Sequence, residues 1–174
     1  MAYATAQIVQ KANRLIQRCG TRDPYRIARE LGIGLIDCDF HRQRGAYKVI
    51  LRNRFIFLNR NLDPVEKRIV LLHELGHDAL HREQAAKSGG FQEFNLFRMN
   101  DNRLEYEANI FASQIELDDA EFLDYCDRGY DAQQIARCMH SDINLIALKA
   151  DTLISQGYRL RYQEHRNDFL KFDK

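Results

Sequence analysis

Two histidines four residues apart with a glutamate beside the first, His73-Glu74-Leu75-Gly76-His77, form an H-E-x-x-H motif inside an apolar run that begins at Ile69. On an α-helix, positions i and i+4 stand one turn apart on the same face. Both imidazoles can therefore offer a nitrogen to a single zinc ion. Glu74 is rotated from His73 by about a quarter turn, which puts it beside the ion rather than on it. A general base belongs there if it is to take a proton from water activated by zinc. The plain alternative is two helix histidines that fall four apart by accident. The setting weighs against it, because the motif requires a helix and the local sequence supplies one.

A catalytic zinc takes three protein ligands and keeps a position for water, so a third ligand is required. The segment Asn102-Arg103-Leu104-Glu105-Tyr106-Glu107-Ala108-Asn109-Ile110-Phe111-Ala112 reads as a later helix, capped at Asp101 or Asn102, with two candidates, Glu105 and Glu107. Its apolar face centres on Leu104, Ala108, Phe111 and Ile115, and the two glutamates lie at opposite margins of that face. Periodicity alone does not choose between them. Ala108 and Ala112 on the Glu105 side would let a second helix approach closely, and Asn109, one turn on, could hydrogen-bond a ligand, so both details favour Glu105. Compensation of the helix dipole is the bland account of either carboxylate.

The elements that must carry these residues follow from capping and periodicity. Ile8, Ala12, Leu15 and Ile16 mark a helix over about 4 to 18, and Asp23-Pro24 starts a second that runs to about Leu31. Leu35–Cys38, Ala46–Leu51 and Arg54–Asn59 read as strands, the last two joined by a tight turn at Arg52-Asn53, which gives a small antiparallel sheet. One edge of it could pair with an extended peptide, flanked by basic side chains. Asp63 as N-cap and Pro64 at N1 start the metal helix, expected to run to about His81 and to be central because it is apolar nearly all round. Gly76 inside it calls for a close neighbour. His81, eight residues after His73, is either a group behind the ligands, one facing substrate, or a solvent-side helix terminus. Residues 82–101 are expected as a long break, with Ser88-Gly89-Gly90 as a mobile point and Phe91, Phe94, Leu96 and Phe97 as an apolar cluster that pins a loop or walls a pocket. Three short helices follow, Asp119–Cys126, Asp131–Met139 and Asp142–Ser155. The last two could form a helix-turn-helix, but the second carries no basic cluster, so a structural pair is favoured and direct DNA binding is not expected. The tail from Arg159 is polar apart from Phe169, Leu170 and Phe172.

The bulk properties exclude several classes. A chain of 174 residues, 45% hydrophobic and 29% charged, is expected to form a single domain over 1–174, with a helical C-terminal subregion at about 119–158. No apolar run reaches the roughly 20 residues that span a bilayer. The first residues do not read as a signal peptide, and Cys19, Cys38, Cys126 and Cys138 show no C-x-x-C pair. A cytoplasmic protein with free, mostly buried thiols and no membrane partner is expected. A net charge of +1 argues against a dedicated polyanion binder. The charge is uneven, however. Phe40–Leu62 holds Arg42, Arg44, Lys48, Arg52, Arg54 and Arg60 with no acid, whereas Asp101–Asp131 is strongly acidic. Two solvated faces explain this more simply than a surface that steers a protein partner.

The pair of motifs, His73-Glu74-Leu75-Gly76-His77-x-x-Leu80-His81 and Glu105-Tyr106-Glu107-Ala108-Asn109-x-Phe111-Ala112, resembles the ImmA/IrrE family of metallo-endopeptidases. The similarity extends to the Asp23-Pro24 helix and to the stretch from Gln134-Ile135-Ala136 through Lys149, Leu153 and Gly157-Tyr158. It implies a zincin-like α+β fold, with the small antiparallel sheet packed on a central H-E-x-x-H helix and a helical C-terminal half. It also implies one catalytic Zn2+, held by His73, His77 and Glu105, with Glu74 as base. The implied activity is site-specific cleavage, inside the cell, of a helix-turn-helix repressor that controls a mobile element, prophage or stress regulon. The chain looks closest to the short mobile-element members. It departs from them at Ile115-Glu116-Leu117-Asp118, where relatives often carry a Leu-Leu-Met-Pro-like ending. The rival expectation is a non-catalytic, metal-containing regulator that binds a repressor or DNA. A ligand set with a spare water position speaks against it, since structural zinc sites are usually closed and cysteine-rich.

Overall fold

Aspartates open most of the helices, and their side chains show why the chain turns where it does. A computed structural model describes residues 3–93 and 103–160, the side chains of Gln92 and Glu93 excepted. Its elements are α1 (Thr5–Cys19), α2 (Pro24–Glu30), β1 (Gly34–Cys38), β2 (Gly45–Ile50), β3 (Asn53–Asn59), α3 (Pro64–Ser88), β4 (Phe91–Glu93), α4 (Arg103–Glu116), α5 (Asp119–Asp127), α6 (Ala132–Cys138) and α7 (Ile143–Ser155). Asp63 Oδ1 accepts the N–H groups of Val65 and Glu66 at 2.9 and 3.0 Å, with Pro64 at N1, where no donor is wasted. Asp23, Asp118, Asp131 and Asp142 cap α2, α5, α6 and α7 in the same way. Gln134 adds the reciprocal half of a capping box at Asp131.

The fold is α+β, as expected, but the four-stranded sheet is mixed, in the order β1-β3-β2-β4. β2 runs antiparallel to β3 and to β4, while β1 runs parallel to β3. The expected antiparallel sheet therefore holds for the hairpin and fails for β1. The reason lies in the crossover at 39–44, which carries the chain past the end of β3 instead of turning back on β1. Buried Asn59 holds that crossover: its Nδ2 donates to the carbonyls of Phe40 and Gln43, both at 2.9 Å. Gly34 lets β1 lie close to β3, since a Cβ there would come within 2.7 Å of the Phe55 ring.

The β2–β3 turn also differs from expectation. Ile50 pairs with Asn53, so the two-residue loop is Leu51-Arg52, and these residues, not Asn53, take the left-handed conformation at φ 49° and 67°. Positive φ at both central positions is the type I′ geometry, which favours Asn-Gly and penalises a branched side chain. The double substitution Leu51→Asn/Arg52→Gly is expected to stabilise the fold by roughly 1–2 kcal/mol without changing metal affinity. Thermal unfolding in the metal-free state would check this, and an unchanged or lowered Tm would refute it.

α3 is the central element. It packs on β2 and β3 on one side and on α4 on another, and α1 and α7 in turn lie against α4. From Ile69 to Asp78 every residue is buried. The helix is longer than the sequence led us to expect: it continues past His81, the one residue inside it with non-helical dihedrals (φ −126°, ψ 16°), and ends at Gly89 in the left-handed region. The expected break at 82–101 is thus helix as far as Ser88, then β4. Phe94, Leu96 and Phe97, like the Asp101 or Asn102 cap and the tail from 161, lie outside the described residues. β4 pairs with β2 from Gly45 to Tyr47, so among the described residues β1 and β4, and not β2, are the edge strands that could meet an extended peptide. Of the basic residues expected to flank it, Arg44 pairs with Glu66, and Arg54 turns inward to Asp78 and the Leu31 carbonyl. α7 buries Leu145, Ile146, Leu148, Lys149 and Leu153, which fits its reading as a structural helix. All four cysteines are free, but only Cys126 is buried and Cys138 is exposed, contrary to the expectation of mostly buried thiols.

Candidate metal centre

The meeting of α3 and α4 assembles the site. A Cβ on Gly76 would lie 3.0 Å from both the Cα and the carbonyl oxygen of Ala108. The two backbones touch there, and a side chain on Gly76 would push α4 away. This is the close neighbour that the glycine called for. The contact decides which glutamate faces which way. Glu105, one turn before the contact, reaches the histidines, whereas Glu107 turns behind them.

His73 Nε2, His77 Nε2 and Glu105 Oε2 converge. The two nitrogens are 3.0 Å apart, and Glu105 Oε2 lies 2.9 Å from His73 Nε2 and 3.4 Å from His77 Nε2. Both imidazoles are buried, and the Glu105 side chain keeps 19% of its surface open. Zinc–donor distances of about 2.0–2.1 Å give a tetrahedron with edges near 3.3 Å, so a triangle of this size fits such an ion. The donor chemistry fits as well. His73 Nδ1 lies 2.8 Å from Asn109 Oδ1 and donates to it, which leaves the lone pair on Nε2 facing a carboxylate oxygen. Lone pairs directed at a common point call for a cation between them. No other group of three potential metal ligands meets this criterion among the described residues.

Glu74 is fully buried on the neighbouring face of α3. It sits against the start of β2, where a Cβ on Gly45 would come within 2.8 Å of Glu74 Oε1 and 2.6 Å of Val70 Cγ1. Positions 65, 69 and 73 share one stripe of α3. At the start of that stripe, short of His73, a cavity of about 240 Å³ opens, lined by Val65, Ile69, Glu66, Asp63, Arg44, Ser141 and Asp142.

Electrostatics follow burial. Burial pushes His77 down to about 4, against the opposing pull of Glu105, so its ring is neutral at physiological pH, as a metal ligand must be. Burial alone would raise the Glu105 carboxyl, but His73 and His77, which would donate to the carboxylate if either ring were protonated, outweigh it and hold it well below the carboxylate range. His81 is lowered by burial against the pull of Glu107. Glu107 is held low by His81, Arg103 and the Tyr3 N–H, which together overcome its burial.

His81 is wholly buried, with Nδ1 3.1 Å from His77 Nδ1, so of its three readings the group behind the ligands fits, and the solvent-side and substrate-facing readings fail. Two features were not read from the sequence. Glu107 does not face the donor triangle; its Oε2 lies 3.1 Å from His81 Nε2. Asp78, beside His77, accepts from Tyr47 Oη at 2.7 Å and from Arg54 and Arg82. Phe91, half-buried, stacks on the His77 ring at 4.3 Å between centroids.

Comparison with known proteins agrees with this geometry. Residues 28–151 match the IrrE N-terminal-like domain family, Peptidase_M78. The protein "Uncharacterized immunity region protein 2" of Bacillus phage phi105 is 37% identical over 107 residues, covering 61% of this chain and 65% of the phage protein, a little under two thirds of its length. "Metallopeptidase ImmA" of Bacillus subtilis (strain 168) is 29% identical over 139 residues, covering 77% of this chain and 78% of that protein. No helix among the described residues is long and apolar enough to cross a membrane. With both motifs meeting in one site and the family match spanning most of the chain, the protein belongs to the ImmA/IrrE family of metallopeptidases.

Proposed function

We propose that this chain is a zinc-dependent endopeptidase with a zincin-like fold in a single domain, acting in the cytoplasm on a helix-turn-helix transcriptional repressor. The observation that carries the reading is the triangle of His73 Nε2, His77 Nε2 and Glu105 Oε2, with edges of 2.9–3.4 Å, beside a buried glutamate one residue along the same helix. Zinc held by those three residues supplies Lewis acidity, which acidifies water and polarises a peptide carbonyl. Glu74 takes the proton from the attacking water and returns it to the leaving amine. Asn109 fixes the tautomer of His73, so that Nε2 is the nitrogen presented. Tyr47 does not supply the oxyanion donor, because its hydroxyl is buried and bound to Asp78. The names of the two relatives, an immunity region protein and a metallopeptidase, support a regulatory protein substrate over a digestive one.

Purified full-length chain should hold one zinc. It should cut a helix-turn-helix repressor encoded beside its own gene into two defined fragments, and a chelator should stop the cut. Mass spectrometry of the fragments locates the bond. A zinc-loaded chain that binds the repressor and leaves it intact would instead establish the non-catalytic regulator.

A further inference from the structure

His77 is held from behind by a second histidine, and that histidine by a carboxylate. His77 Nδ1 and His81 Nδ1 are 3.1 Å apart, and His81 Nε2 is 3.1 Å from Glu107 Oε2. Glu107 Oε1 accepts from Arg103 Nε at 2.9 Å and from the Tyr3 backbone N–H at 3.0 Å. His77, His81 and Glu107 are all buried. Each neutral imidazole has one N–H and one lone pair, so the chain of contacts admits one direction. Glu107, an acceptor only, takes the proton of His81 Nε2. His81 Nδ1 then carries a lone pair and takes the proton of His77 Nδ1. The lone pair of His77 is thereby left on Nε2, the atom that meets His73 and Glu105.

We propose that His81 and Glu107 are positioning residues of the metal centre: Glu107 sets the tautomer of His81, and His81 sets the tautomer and ring orientation of His77. The assignment rests on the metal site proposed above. The two histidine ligands are then oriented differently although both supports come from α4: His73 directly by Asn109, His77 through an intervening ring by Glu107. The non-helical dihedrals of His81 mark where α3 departs from regular geometry at that ring. A carboxylate reaching a metal-bound imidazole through hydrogen bonds fixes the ring and raises its basicity.

The competing account is a buried polar pair that merely ties α3 to α4. Zinc affinity of the full chain, read by competition with a chromogenic chelator, separates the two when set beside the unfolding midpoint of the metal-free protein. His81→Leu and Glu107→Gln should each weaken zinc binding about 10–100-fold. His81→Gln should keep most of the affinity, because its amide can accept from His77 and donate to Glu107. The double variant His81→Leu/Glu107→Gln should be no weaker than His81→Leu, since both changes break one chain. Cobalt(II) loaded in place of zinc should show a changed visible spectrum in His81→Leu and a near-native one in His81→Gln. Should His81→Leu fail to fold, Glu107→Gln and His81→Gln carry the same test. Wild-type affinity in Glu107→Gln, or equal losses in His81→Leu and His81→Gln, would overturn the assignment. Failure of the wild-type chain to bind zinc at all would strike the metal site itself. Loss of zinc in His77→Ala, with retention in Glu107→Gln, would strike only the relay.

Discussion

Glu74→Gln is expected to leave zinc binding within error of wild type and to slow repressor cleavage by about a thousandfold or more, the upper part of the range for loss of a general base. The substitution changes one oxygen for an amide nitrogen and preserves the volume that packs on Gly45. The fold and the His73–His77–Glu105 triangle therefore have no reason to move. What disappears is the ability to accept a proton from water and hand it to the leaving amine. The measurement is a single-turnover cleavage rate at saturating enzyme, with metal content determined on the same sample. A variant that cuts within tenfold of wild type would remove Glu74 from the role of base. A variant that loses its zinc would show that the carboxylate supports the ligands rather than the water.

Much of this site could be read before any fold was known, because its chemistry is local. The i, i+4 spacing of His73 and His77 fixes their common face whatever packs around them. The helix starts were legible for the same reason: Asp23, Asp63, Asp131 and Asp142 satisfy their own backbone N–H groups within three residues. The choice between Glu105 and Glu107 was not local. Both flank the apolar face of α4; Ala108, Ala112 and Asn109 leaned towards Glu105, and the Gly76–Ala108 contact, a meeting of residues 32 apart in the chain, is what turns it toward α3's histidines. The sheet failed for a related reason. Leu35–Cys38 shows strand character but carries no mark of direction, and parallel pairing with β3 depends on Asn59 gripping the crossover from 16 to 19 residues away. The extension of α3 was a different kind of miss. Glu83, Gln84, Ala85, Ala86 and Lys87 are good helix formers, and the glycines at 89 and 90 drew the break too early. The choice among the three readings of His81 stayed open for want of a partner: its spacing from His77 was visible, but Glu107 arrives from another helix.

Asp78→Ala is expected to cost roughly 3–5 kcal/mol, the scale of breaking a buried charged network by removing one member. The carboxylate is buried beside His77 and joins three elements at once. Tyr47 Oη from β2 donates to Oδ1 at 2.7 Å, Arg54 Nη1 from β3 lies 3.0 Å from Oδ2, and Arg82 Nη2 from the next turn of α3 lies 2.9 Å from Oδ2. Without it the Tyr47 hydroxyl, fully buried, is left without its acceptor, and Arg54 loses its carboxylate, keeping the Leu31 carbonyl. The contributions are unequal. Arg82 is about half exposed at 52%, so Arg82→Ala should cost under about 1 kcal/mol, as surface pairs do. Tyr47→Phe, which removes the buried donor but keeps the ring, should fall between the two at about 1–3 kcal/mol. Thermal unfolding of the metal-free protein reads all three, with Asp78→Ala lowering Tm by roughly 6–20 °C for a chain of this length. Equal, small losses across the series would mean that α3 is held to the sheet by its apolar face alone. The expected order, with Asp78→Ala far the worst, would make this network the tie that sets the height of the metal-bearing helix against the sheet.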